Sequence, residues 1–374
     1  MKMEYKTDIC CIFNYFSFYR KAIYELMDKE LKCDFYIGEN YNAPLKKADG
    51  NILNGFKGYL TSTFGIFYRL KGAHKAALNP QYKKYIALGD SYCLSIWWLL
   101  IWSKIRGKKT VLWGHGWYRD GIIIQNIMYH IFWRLPTHIM TYNNYSRNHM
   151  IEKGISPQKI TPIYNSLDYD EQLLVRKNLQ KTDIYKIHFG NDNPVLLYIG
   201  RLQKRKKIGQ VIDAMSLLKQ KGLDTNFVII GDAAEETGIE RIVNEYGLND
   251  HVWLYGPCYD EKTKGELMYN ADLCVSPGNV GLTAMDSLMF GLPVATNSDF
   301  STQMPEFESI EEGLTGTFFK KDDIKDISDK ISKWFEKHKN ASRDDIAQEC
   351  YKVIDDKWNP HYQIQVIKNI IKNL

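Results

Sequence analysis

Along the chain, short apolar runs alternate with longer stretches in which apolar residues recur every three or four positions. Asp8–Phe13 is one such run, followed by the amphipathic stretch Phe18–Leu31 and then by Asp34–Gly38. Tyr85–Leu88 precedes the apolar stretch Leu94–Ile105, and Thr110–Trp113 precedes Ile122–Leu135. His138–Thr141, Tyr145–Lys153 and Ile160–Tyr164 continue the alternation. Such runs fit strands buried on both faces, and the periodic stretches fit helices laid over them. The pattern predicts βαβ units and a parallel sheet. Residues 179–194 interrupt it with a polar stretch ending in Asn-Asp-Asn-Pro. This predicts a first domain over 1–182 and a linker over 183–194.

Past Pro194 the alternation restarts. Strands are predicted at Val195–Ile199, Phe227–Ile230, Val252–Tyr255, Leu273–Ser276 and Pro293–Thr296. Helices fall between them at Gly209–Gln220, Ile239–Tyr246, Glu261–Asn270 and Leu282–Phe290. Ile327–Phe335, Asp344–Ile354 and Pro360–Lys372 read as further helices, and a second domain is expected over 195–354. The predicted fold class is α/β, with two Rossmann-like parallel domains facing a cleft. Ligands of such sheets bind at the C-terminal ends of the strands.

Composition supports a globular chain. Of 374 residues, 44% are hydrophobic and 25% charged, which excludes disordered, collagen-like and small disulfide-stapled classes. The seven cysteines are scattered, with no CxxC pair, so neither a structural zinc site nor an oxidising compartment is expected. The N-terminal residues show no apolar region followed by a small-residue cleavage site, so no secretory signal is expected. The longest apolar run, Ile96–Trp102, falls far short of the ~20 residues of a membrane span. Charge is asymmetric. Residues 1–185 hold 26 Lys+Arg against 15 Asp+Glu, whereas the remainder holds 23 against 29. This points to an anionic partner for the first half, or simply to lysine-rich coding. Two stretches could lie on an anionic membrane: Phe64–Ala77, and Ile96–Trp102 with the basic residues Lys104, Arg106, Lys108 and Lys109 behind it. The second stretch also reads as an ordinary core helix.

Two motifs carry chemistry. In Tyr198-Ile199-Gly200-Arg201-Leu202, followed by Lys206-Lys207, a strand ends, a glycine turns the chain and fixed cations follow. Arg and Lys at that spacing can hold a diphosphate, one as a fork and one as a point charge. In Ser276-Pro277-Gly278-Asn279-Val280-Gly281-Leu282-Thr283, a strand enters a Gly-rich loop and a helix opens near Leu282. Free N–H groups at a helix start, with the helix dipole behind them, form an anion site. Asp286 lies within that helix, where a carboxylate could accept from ribose hydroxyls or simply be solvated. Phe290-Gly291-Leu292-Pro293-Val294 reads as structural.

These motifs, with Ile229–Asp232, Val252–Gly256 and Ala271–Pro277 between them, resemble in order and spacing the nucleotide-sugar domain of retaining glycosyltransferases of family 4 (glycosyl transferases group 1), fold type GT-B. The resemblance is best over Val195–Phe319. It implies that Gly200, Arg201 and Lys206 hold the donor diphosphate together with the backbone of Gly281, Leu282 and Thr283, and that Asp286 binds the ribose. It places the base near Gly256-Pro257-Cys258-Tyr259. It also implies that 355–374 forms a last helix crossing back to the N-terminal, acceptor-side domain. The family's Glu-x7-Glu pair is divergent here, because its first position is Gly278. Asn279 and the loop Asp299-Phe300-Ser301-Thr302-Gln303-Met304-Pro305-Glu306 are the nearby candidates for contacts with the donor sugar. The first half resembles the family less closely, and Asn14–Ser17 replaces the usual glycine loop. Trp113-Gly114-His115-Gly116-Trp117 places His115 at a strand end, where the family often has a catalytic histidine. A structural histidine in a turn is the other reading.

The resemblance implies transfer of a sugar from a nucleoside-diphosphate sugar to a glycan or lipid-linked acceptor, with retention, in bacterial surface polysaccharide synthesis. No metal, cofactor or nucleic acid is expected, since the cations and backbone N–H groups meet the diphosphate charge. The expected location is cytoplasmic, with peripheral contact at the inner membrane face. The alternative is a non-catalytic GT-B protein that binds a nucleotide or glycan. A sugar-nucleotide epimerase lacks a clear acid–base pair in the sequence.

Overall fold

The computed structural model describes residues 7–39, 46–63 and 65–374. Phe64, in one of the two candidate membrane stretches, lies outside them. The chain divides into two units: unit 1 comprises Met1–Tyr169 with Asn359–Leu374, and unit 2 comprises Asp170–Trp358.

In unit 1 an 8-stranded sheet contains β1 (Ile9–Phe13), β2 (Asp34–Gly38), β3 (Phe56–Ser62), β4 (Leu70–Lys71), β5 (Lys84–Leu88), β6 (Lys109–Gly114), β7 (His138–Thr141) and β8 (Ile160–Pro162). Their order is β4-β3-β2-β1-β5-β6-β7-β8. All neighbours are parallel except the short edge strand β4, which runs antiparallel to β3. β1 shows why a continuous apolar run suits this sheet. Cys11 and Phe13 join one core with Phe16, Tyr24 and Phe35, while Cys10 and Ile12 join the other with Tyr85, Ile96 and Leu99. Alternating side chains feed opposite faces, so both faces need apolar residues. Helix Lys21–Leu31 covers the first face together with the last helix, Pro360–Lys372, through Ile364, Ile367, Ile370 and Ile371. That last helix starts where Asn359 accepts from Tyr362 N (2.8 Å) and Pro360 occupies the first turn.

Unit 2 holds a 6-stranded parallel sheet of β9 (Val195–Ile199), β10 (Asn226–Ile230), β11 (Val252–Gly256), β12 (Leu273–Ser276), β13 (Val294–Asn297) and β14 (Gly316–Phe319), ordered β11-β10-β9-β12-β13-β14. Residues 183–194 do not form the expected linker. They lie inside unit 2 and include a helix, Ile184–Phe189, whose Tyr185 is buried and donates to Leu267 O (2.6 Å). The polar composition concealed the aromatic anchors that dock the segment, Tyr185 and the His188 ring stacked on Trp253 (3.7 Å).

Each sheet has one point where the chain reverses its direction of growth. In unit 1 this lies between β1 and β5, and in unit 2 between β9 and β12. Strand connections diverge there and leave a crevice beyond the C-terminal strand ends, the usual ligand position in open α/β sheets.

Candidate functional site

The unit 2 crevice brings the two sequence motifs together. β9 runs out into Gly200, whose N–H donates to Ile230 O (2.9 Å), and Leu202 N donates to Asp232 O (2.8 Å). Tyr198 donates its hydroxyl to Arg201 O (3.1 Å). These bonds fix the exit of Arg201. Lys204–Lys206 then form a single turn. On the neighbouring strand end, Gly278 N donates to Lys206 O (3.1 Å), and Lys206 Nζ donates to Asn279 O (2.6 Å). The two motifs are therefore joined through Lys206, by its backbone and its side chain.

The loop after β12 is held firmly. Gly278 O accepts from Asn297 Nδ2 (2.8 Å) and Gln303 Nε2 (3.3 Å). Val280 N donates to Gln303 Oε1 (2.9 Å), and Thr283 Oγ1 donates to Ile199 O (3.1 Å). Gly281 (φ 56°) caps helix Leu282–Met289. The N–H groups of Leu282 and Thr283, at the start of that helix, have no intrahelical acceptor. Asn279 Oδ1 is buried without a hydrogen-bond partner among the described residues.

Charge in the crevice is concentrated on Lys206. Burial pulls its ammonium down to about 8, Arg205 and Arg201 push the same way, and the carboxylate of Glu306 opposes them. Glu306 is itself buried, in the turn Pro305–Ser309. Gly200, Arg201, Lys206, Asn279, Gly281, Leu282, Thr283 and Glu306 thus belong to one neighbourhood.

Two other expectations fare differently. Asp286 is engaged through one oxygen: its Oδ1 accepts from Gln172 Nε2 (2.7 Å) and Lys264 Nζ (3.0 Å), and Lys264 also pairs with Glu261 (2.7 Å). Burial alone would lower Lys264, but Asp286 and Glu261 more than offset it. Pro257 is exposed beyond β11, two strands from the reversal point, and is joined to the crevice by no hydrogen bond. Tyr259 is also exposed, with its hydroxyl on Asp232.

Gly278 has no room for a side chain. A Cβ there would lie 2.5 Å from Arg205 O and 2.8 Å from Lys206 Cα. Backbone already fills that volume, so no side chain fits while Lys206 keeps its place.

Unit 1 has its own cavity at its reversal point, about 310 Å³, lined by Asn14–Ser17 residues after β1, by Gly89–Tyr92 after β5 and by His115–Arg119 after β6. His115 lines it, with its ring edge-on to Tyr142 (5.1 Å). Desolvation within the surrounding protein lowers the His115 imidazole below its ordinary value, and Arg20 adds to this. It is therefore neutral near pH 7. Sequence reasoning missed Arg20, which stands between the loop after β1 and helix Lys21–Leu31. The available signal was a single cation ending an aromatic run, Phe16–Arg20.

Among the described residues no group of three or more His, Cys, Asp or Glu is placed to hold a metal ion. No described helix is long and apolar enough to cross a membrane. Some helices nevertheless leave apolar stripes uncovered. Ile123, Ile127 and Ile131 on helix Ile123–Phe132, and Trp98, Ile101 and Ile105 on helix Leu94–Ile105, are exposed. The Trp-rich run is thus a core helix on one face only.

Two Rossmann-like units, one with a cationic phosphate-type crevice at its reversal point, define a GT-B fold. The same architecture is seen in the Anabaena protein Alr3699/HepE solved in complex with UDP, with a TM-score of 0.72 and 16% identity over 98% of this chain and 100% of that one. It was also solved with UDP-glucose, at a TM-score of 0.67, 16% identity and coverage of 98% and 100%. Residues 180–353 match the family model of glycosyl transferases group 1. An uncharacterized 41.2 kDa protein in the cps region of Klebsiella pneumoniae is 28% identical over 236 residues, 60% of each chain. The amylovoran biosynthesis glycosyltransferase AmsK of Erwinia amylovora is 31% identical over 119 residues, 32% of this chain and 28% of that one. The matched segments thus span less than two thirds of either relative.

Proposed function

We propose that this protein transfers a glycosyl group from a nucleoside-diphosphate sugar to a glycan or lipid-linked glycan, in bacterial surface polysaccharide synthesis, with retention. The observation that carries the reading is the joining of Arg201, Lys206 and the start of helix Leu282–Met289 at one reversal point. Fixed cations and N–H groups stabilise the charge that builds on the leaving diphosphate, and need no reorganisation to do so. On this reading a metal is dispensable. Asn279 and Glu306 supply sugar contacts in place of the carboxylate that Gly278 cannot carry, and Asp286 reaches the ribose with the oxygen not taken by Lys264. His115 acts at the acceptor as a neutral imidazole able to take a proton. The UDP complexes of Alr3699/HepE make UDP the first nucleotide to test.

The membrane contact is assigned to the stretch Ile96–Trp102 with its basic residues, extended by the uncovered stripe Ile123, Ile127 and Ile131. Helices Leu94–Ile105 and Ile123–Phe132 touch through Trp97 and Phe132 (5.0 Å), and a pocket beyond their C-terminal ends is lined by Lys104, Lys108, Lys109, Arg134 and Lys159, with no acid. Apolar stripes beside uncompensated cations suit an anionic lipid surface.

The deciding experiment is a thermal-shift series with UDP, GDP, dTDP, ADP and CMP, with and without magnesium. A ligand at 100 times its Kd stabilises by about 2.7 kcal/mol. One nucleoside diphosphate should raise the melting temperature without magnesium, and Arg201→Ala should abolish the shift. No shift with any of them would refute the donor site. Binding without turnover would favour the non-catalytic reading.

A further inference from the structure

The unit 1 cavity contains a cation that its surroundings do not neutralise. Arg20 lines the cavity and lies over the rings of Trp113 (5.3 Å), Tyr142 (5.3 Å) and Tyr19 (5.5 Å). Its Nε donates to Tyr19 Oη (3.1 Å) and its Nη2 to the Tyr142 hydroxyl. No carboxylate pairs with it among the described residues, and the hydroxyls beside it are those of Tyr142, Tyr19 and Tyr24. A guanidinium has five N–H donors in a rigid fork, and these two bonds use two of them, with the Tyr24 hydroxyl also beside it. The one acid in the lining, Asp90, is already engaged: Oδ2 accepts from Tyr68 Oη (2.9 Å) and Oδ1 from Tyr92 N (2.9 Å). Arg119 adds a second positive charge to the rim, and His115 is neutral. A half-buried cation without a counter-charge is costly unless an anion joins it.

The rest of the lining is aromatic. Tyr15, Tyr19, Tyr92, Trp117, Tyr118 and Tyr142 all line the cavity, and aromatic rings suit the C–H faces of a sugar. The volume of about 310 Å³ suits one sugar residue with a substituent.

We propose that this cavity binds an acceptor sugar bearing an oxyanion, a phosphate or a carboxylate, and that Arg20 holds that group through its remaining N–H donors. The inference rests on the glycosyltransferase reading for calling the ligand an acceptor, but the binding site itself does not. A planar fork matches two oxygens of either anion, whereas an uncharged sugar leaves the guanidinium unpaired. Arg20 is thereby a specificity-determining residue that rejects neutral acceptors.

The test titrates the full chain with glucose 6-phosphate, glucuronate and glucose, followed by ligand-observed NMR. The two anionic sugars separate phosphate from carboxylate as the source of the oxyanion. At least one should bind tenfold or more tighter than glucose. Arg20→Met should remove that preference, Arg20→Lys should retain part of it, and Arg201→Ala should leave it intact. Because Arg20→Met removes a cation packed on three rings, its melting temperature is measured alongside, and Arg20→Lys serves if the Met variant fails to fold. Equal binding of all three sugars, binding of none, or an anion preference unchanged in both Arg20 variants would overturn the proposal. An Arg20-dependent preference without any nucleoside-diphosphate binding would sink the donor reading and leave this site standing. The converse result would do the opposite.

Discussion

Replacing Lys206 by methionine separates stability from binding. A fall of its ammonium from 10.5 to about 8 means that holding it charged costs the unliganded fold roughly 3 kcal/mol below pH 8, at 1.36 kcal/mol per pH unit. Lys206 is only partly enclosed, so water screens some of this, and about 2 kcal/mol is the working figure. Methionine removes that cost but also the bond to Asn279 O, which contributes about 1 kcal/mol. Lys206→Met should therefore be as stable as the parent or up to about 1 kcal/mol more stable at pH 7. The pH dependence has a definite sign. The folded-state value lies below the unfolded one, so between pH 8 and 10.5 the unfolded chain binds more protons, and this site's contribution to stability rises with pH. Any advantage of Lys206→Met should thus shrink as pH rises through that window. Nucleoside-diphosphate affinity should move the other way. Loss of a charge-assisted contact weakens binding by about 1.5–3 kcal/mol, roughly tenfold to more than a hundredfold. Denaturant melts at pH 7 and 10, with calorimetric titration of the nucleotide, test both halves. A variant less stable by 2 kcal/mol or more, or one that binds the nucleotide with parental affinity, would refute the reasoning.

Other substitutions probe separate parts of the site. Gly278→Ala forces a side chain against Arg205 O and Lys206 Cα and should cost about 1–3 kcal/mol in denaturant melts, with loss of nucleotide binding, so Gly278→Glu would not restore a family carboxylate. His115→Ala should reduce turnover by about 10²–10⁴-fold with nucleotide affinity unchanged; loss of the folded state instead would favour a structural histidine. Asp286→Asn leaves Lys264 with only Glu261 as a charged partner and should lower stability by about 1–3 kcal/mol, read as a shift in denaturant midpoint. Ile127→Glu, on an exposed position, should leave the melting temperature unchanged while reducing co-flotation with vesicles rich in anionic lipid.

Much of the fold is readable because β-strand and helix periods are local properties. Val195–Ile199, Leu273–Ser276, Leu94–Ile105, Gly209–Gln220 and Glu261–Asn270 form with the ends that pattern alone predicts. Strands β3, β4 and β14 are not legible in the same way. Phe56–Ser62 alternates exposed and half-buried residues with Leu60 alone buried, and Gly316–Phe319 opens on a glycine and a threonine rather than an apolar run.

What the sequence by itself determined is the α/β alternation, the two cationic and glycine motifs and their order. Backbone conformation and side-chain chemistry at those positions act over a few residues, so they survive without knowledge of the neighbours. Only the tertiary structure decided what each charge faces. It put backbone where Gly278 would need a side chain and tied Lys206 to both motifs. It paired Asp286 with Lys264 and, among the described residues, left Arg20 without an acid. It docked residues 183–194 through Tyr185 and left Ile123, Ile127 and Ile131 uncovered. Each of these depends on segments far apart in the chain that meet only when the sheets assemble. A charge's partner, unlike a strand's period, is a long-range fact.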